Sequence, residues 1–140
     1  MRAKWWGATT LSVVALAWGG AGYLITKPVD FHDYRVAAVS SAETAHDALT
    51  TAGLVAEAEL KGQVMGPYAE SSFDDARKAL AGGAKKFTGV EPPDERCERM
   101  HDELAPLLQQ ADAVLARIPD EPHAGDDVSD ALERFVEQHT

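Results

Sequence analysis

Between Lys4 and Lys27 the chain runs from Trp5 to Thr26 without one charged side chain. An uncharged stretch of that length constrains the fold more than any other feature. A helix rising about 1.5 Å per residue crosses a hydrocarbon core of about 30 Å with about 20 residues. Trp5 and Trp6 at one end and Tyr23 at the other fall where amphipathic rings sit at headgroup level. Arg2 and Lys4 precede the stretch, and every acidic residue follows it. This asymmetry places the N-terminus in the cytoplasm and the remainder outside. Residues 1–27 are therefore expected to form a short cytoplasmic N-terminus and a transmembrane anchor that meets the lipid bilayer through residues 5–26. The alternative is a cleaved signal peptide, with Leu11 to Trp18 as its apolar region and Gly19 to Gly22 as the cleavage zone. That reading gives a secreted protein; both export residues 28–140. Ala15/Gly19 and Ala17/Ala21 have the four-residue spacing at which membrane helices approach closely.

The exported part is acidic. Of the 13 Lys and Arg, Arg2, Lys4 and Lys27 lie before it, leaving 10 against 23 Asp and Glu, a charge of −13. Nucleic acid is excluded as a partner, because phosphate recognition needs a basic face. The single cysteine excludes an internal disulfide framework and a four-cysteine zinc site.

Apolar residues recur at helical spacing in four places, and no stretch alternates as a strand does. The first helix is expected over Asp33 to Val64. Its Ala38, Ala42, Ala45, Leu49, Ala52 and Ala56 make a seam of period 3.5, thin enough for a partner backbone to come close. Asp30 and Asp33 are candidate N-caps, and Met65-Gly66-Pro67 is expected to end the helix, with Gly66 in the left-handed cap and Pro67 opening the next. A second helix over Pro67 to Phe87 presents Phe73, Ala76, Leu80, Ala84 and Phe87, with fraying expected at Gly82-Gly83. A third, Asp94 to Ile118, turns Cys97, Met100, Leu104, Leu107, Leu108, Ala111, Leu115 and Ile118 inward, with a kink expected at Pro106. After a loop with two prolines, a fourth helix starts at Asp126 or Asp127 and carries Val128, Ala131, Leu132, Phe135 and Val136 on one side. The fold class is all-α: a single N-terminal transmembrane helix followed by an antiparallel three- to four-helix bundle. The fourth helix either joins the bundle or lies apart and packs on another protein.

Two Glu-x-x-His pairs, Glu43/His46 and Glu98/His101, have the spacing that di-iron bundles place on two of their helices. Their glutamates fall on the polar side of the seams, whereas a di-iron site needs them in the core. Cys97 and His101 share a helix face and make half a metal site. Cys97 also reads as a small core residue, or as a bridge between two copies. His123, Asp126 and Asp127 form a loop cluster in which the two acids suit a helix N-terminus. The sequence holds no phosphate-binding Gly-rich loop, nucleophile elbow, HExxH or CxxC. No catalytic residue and no cofactor is therefore assigned; Glu43, His46, Glu98, His101 and Cys97 are the candidate metal ligands.

An alanine-rich helix (SSAETAHDALTTAGLVAEAELKGQV), then GPYAESSFDDARKAL, then a PPD turn into DELAPLLQQADAVL, resembles small actinobacterial exported or membrane-anchored helical proteins of unknown function. The resemblance covers Ser40 to Ile118 and implies a helical architecture in a cell-envelope setting, with no functional residue carried over. The expected role is a non-catalytic scaffold, adaptor or accessory subunit that meets another envelope protein, or a second copy, through helix faces. The alternative is an extracytoplasmic ligand- or metal-sensing bundle with a pocket between the first and third helices near His46 and His101.

Overall fold

The computed structural model describes residues 29–140. The expected membrane segment, residues 5–26, lies outside the described residues; no helix among them is long and apolar enough to cross a membrane. Four helices follow in order: α1 (Phe31–Leu60), α2 (Gly66–Thr88), α3 (Glu95–Leu115) and α4 (Asp126–His139). No strand occurs among the described residues.

Local chemistry sets the helix ends. Asp30 caps α1, its Oδ1 accepting from the Asp33 amide at 2.8 Å. Asp94 caps α3 in the same way, accepting from the Cys97 amide at 3.0 Å. Helix α1 ends at Leu60, one turn before the expected Val64. The left-handed residue is Gly62 (φ 70°), not Gly66. The Gly62 amide donates to the Glu59 carbonyl at 2.9 Å and the Gln63 amide to the Ala58 carbonyl at 2.8 Å. Those two bonds are the Schellman pattern, which satisfies carbonyls that the helix end would otherwise orphan. At the other end of α2 the expected fraying does not occur: the helix continues through Gly82 and Gly83 to Thr88. Ser41 Oγ on α1 donates to the Gly83 carbonyl at 3.0 Å and holds this turn in place. Helix α3 stays helical through Pro106, and Ile118 is buried beyond its end.

Around the bundle the helices follow the chain, α1–α2–α3–α4, each meeting the next and α4 closing on α1. One diagonal is short: α1 also packs on α3, whereas α2 and α4 do not touch. Residue size explains the asymmetry. Ala38, Ala42, Ala45, Leu49, Ala52 and Ala56 of α1 are all buried, as expected for the seam; Ala48 joins them, and Tyr34 and Leu49 are the helix's only large core residues. Bulk comes from the surrounding helices instead: Phe73, Leu80 and Phe87 on α2, Met100, Leu104 and Leu108 on α3, Leu132 and Phe135 on α4. Large against small fills the layers at close-packed density. Each large side chain contributes about 1.5–3 kcal/mol by leaving water. The fourth helix belongs to the bundle and does not lie apart.

Candidate functional site

The interhelical polar contacts that join α4 to α1 gather beside a cleft. His46 and Thr50, one turn apart on α1, face Ser129 in the first turns of α4. Ser129 Oγ lies 2.8 Å from His46 Nδ1 and 3.4 Å from Thr50 Oγ1; the Ser129 carbonyl lies 3.1 Å from the same imidazole nitrogen. Ser129 can donate its hydroxyl to an unprotonated Nδ1, or its carbonyl can accept from a protonated one, so the link survives either tautomer. His46 Nε2 meets no carboxylate among the described residues. The geometry is that of a clamp between helices, without the acid that would orient the imidazole as a base.

Next to the clamp, a cleft of about 170 Å³ opens between α1, α4 and the connection that precedes α4, with Thr50, Leu54, Glu57, Pro122, His123 and Ser129 among its walls. Gly53 sets its depth: a Cβ there would come within 3.0 Å of the Pro122 carbonyl oxygen, so only glycine lets the connection lie on α1. Glu57 pairs with Lys61 at 2.9 Å, and that hydrogen bond, reinforced by the lysine charge, holds its carboxyl below the usual range. His123 Nδ1 lies 3.1 Å from Asp126 Oδ2. The N-cap of α4 is Gly125, with no side-chain cap bond, so Asp126 and Asp127 sit in the first turn rather than capping it. There they complement the positive end of the dipole.

The other residues singled out by sequence are dispersed. Glu43 and Glu98 are exposed. His46 turns to α4, while His101 stacks on Phe87 of α2 with ring centroids 5.6 Å apart, its Nδ1 3.6 Å from Asp102 Oδ1. The two Glu-x-x-His pairs therefore do not converge, and no group of three His, Cys, Asp or Glu able to hold a metal exists among the described residues. Neither His46 nor His101, the two residues near which the sensing alternative places its pocket, lines the cleft at α1 and α4. Cys97 is fully buried; burial pushes its thiol up, with the hydrogen bond and charge of Asp94 adding to the shift. A buried neutral thiol is out of reach of a second copy and a poor metal ligand.

Sequence reading missed the clamp. One signal for it was present: Ser129 interrupts the apolar side of α4 between Val128 and Leu132, where a polar residue needs a partner. Its partner stands 83 positions away, and no local pattern points to it. No protein-family model, curated protein or solved structure matches the chain.

Proposed function

We propose that the protein is a non-catalytic adaptor of the cell envelope, held to the membrane by residues 5–26 with the helical bundle outside. One observation carries the adaptor reading. Leu60, Met65 and Tyr68 are 68%, 77% and 61% exposed, and all three lie at the connection between α1 and α2. Large apolar side chains so exposed at one end of a molecule mark a contact surface. They stand at the far end of α1 from residue 29; 30 helical residues at about 1.5 Å each put them about 45 Å away. An anchor at the N-terminus would thus present the apolar end outward from the bilayer. The two surfaces that sequence alone offers for this role, the alanine seam and the fourth helix, are both spent inside the bundle.

Photo-crosslinking from position 68 of the full chain in native membranes tests the reading. A discrete adduct, lost in the Leu60→Ser/Met65→Ser variant and kept after alkaline carbonate extraction of the membranes, is the expected result. Recovery of the chain in the carbonate-soluble fraction removes the anchor; an adduct pattern that the double variant leaves unchanged removes the adaptor surface.

A further inference from the structure

The exposed apolar tip at the α1–α2 connection has a rim of one sign. Glu59 reaches along the connection, its Oε1 3.8 Å from the Cβ position of Gly66, the residue after Met65. Glu70 lies one turn beyond Gly66 on the same side of α2. Neither carboxylate forms an ion pair among the described residues. Lys61, the one base in this connection, is taken by Glu57 at 2.9 Å.

The connection between α3 and α4 reaches the same end of the bundle, where Pro122 lies against Gly53 of α1. It repeats the pattern. Its one base, Arg117, is taken by Glu121 at 2.7 Å. Asp120, and Asp127 in the first turn of α4, are exposed and unpaired among the described residues. The opposite end of the bundle differs. Lys85 and Lys86 in the last turn of α2, and Arg99 on α3, are exposed and meet no acid among the described residues. The chain has spare bases, then, but neither connection at the tip end holds one.

An apolar patch by itself accepts any hydrophobic surface; the charge around it selects among them. We propose that the tip docks into a recess of another protein that is apolar at its centre and bears Lys or Arg around its edge. Leu60, Met65 and Tyr68 fill the recess, and Glu59 and Glu70 meet the cations. The inference rests on the adaptor reading and adds the chemistry of the partner. An anionic bilayer surface repels the same carboxylates. A second copy does not suit the tip either: tip against tip across a two-fold axis sets like carboxylates together.

The test reads the yield and identity of adducts formed from a photoreactive residue at position 68 of the full chain in native membranes. Raising salt from about 0.1 M to about 1 M cuts the screening length from about 10 Å to about 3 Å, and is expected to lower the yield severalfold. Glu59→Lys/Glu70→Lys is expected to lower it about tenfold at the lower salt, as two pairs lost and two repulsions gained imply. Glu59→Gln/Glu70→Gln, which keeps size and helix propensity, is expected to fall between and to flatten the salt dependence. Circular dichroism of both variants is expected to match the parent. Mass spectrometry of the adduct is expected to find a protein segment with Lys or Arg beside the linked position. A yield indifferent to salt and to both variants overturns the proposal, as does an adduct to lipid or to a second copy. The two readings fail differently: no adduct under any condition removes the adaptor reading, whereas a protein adduct indifferent to charge removes this inference alone.

Discussion

Tyr34 is fully buried, and its hydroxyl finds no hydrogen-bond partner among the described residues. Its ring packs against Phe87 at 5.6 Å, so the hydrocarbon is well placed and only the oxygen is penalised. An unmade hydrogen bond on a buried polar group costs about 1–3 kcal/mol, and Tyr34→Phe removes the oxygen without altering the ring. The variant is expected to melt a few degrees above the parent, a result thermal unfolding by circular dichroism reads directly. The same burial, with the nearby Cys97 and Asp102 adding to it, pushes the Tyr34 hydroxyl up to about 12 from 10.0. The folded state thus favours the neutral phenol more than the unfolded state does. Its contribution is fully present below pH 10 and is lost as pH rises through about 12. In Tyr34→Phe the alkaline fall in stability over that interval is expected to flatten. Cys97 obeys the same logic. Buried and held neutral, it is expected to react with a thiol-specific disulfide reagent only when the chain unfolds. Labelling at native pH and an unchanged mobility without reductant check this; rapid native labelling contradicts it.

Helix α1 is a post of alanines that three helices share, so its tolerance is set by space and not by hydrophobicity. Ala45 is fully buried. Ala45→Leu adds apolar area but has nowhere to put it, and is expected to cost about 1–3 kcal/mol or more through overpacking. Urea unfolding measures that. Stabilisation by the larger side chain would mean that the layer is not filled. On the outer face the opposite holds: Gly82→Ala meets open space and is expected to stabilise α2 by about 1 kcal/mol. These two positions also show what a sequence reveals and what it hides. The seam from Ala38 to Ala56 was legible because residue size and a 3.5-residue period are both local. The end of α1 was less so, since Gly62 and Gly66 are equally good candidates for the left-handed cap until the Gln63–Ala58 bond decides between them. Legibility stopped at contacts distant in sequence. The Glu-x-x-His spacing predicts shared faces within a helix, but which neighbour each histidine meets depends on how four helices pack. His46 found Ser129 and His101 found Phe87.

At the scale of the whole molecule, self-repulsion is the term that no single contact shows. Residues 28–140 carry 23 acids against 10 bases, and the ion pairs of Lys61, Arg77, Arg96 and Arg117 use only four of those bases. The surplus negative charge opposes compaction and is screened by salt. Raising ionic strength from about 0.01 M to about 0.1 M shortens the screening length from about 30 Å to about 10 Å, less than the span of the bundle. The melting temperature is therefore expected to rise with salt, against the weakening expected if surface pairs dominated. Acid has the same effect by a different route, and its limit can be named. Lowering pH from about 8 towards the isoelectric point near 4.8 removes negative charge from both states, but the compact state gains more. The opposing groups are carboxylates that the fold holds ionised. Asp94, held by the Cys97 amide and then by Arg96, is lowered from 3.8 to about 2. A depressed carboxyl contributes stability that is present above its unfolded value and lost as pH falls through the folded one, so the α3 cap yields between about 4 and 2. The two effects occupy separate intervals. Stability is expected to climb as pH drops from 8 to 5 and to turn down below about 4. Asp94→Asn, which keeps a capping oxygen but not the charge, is expected to weaken that downturn. A melting temperature that falls steadily from pH 8, in low salt, would place the governing electrostatics in specific pairs and not in the net charge.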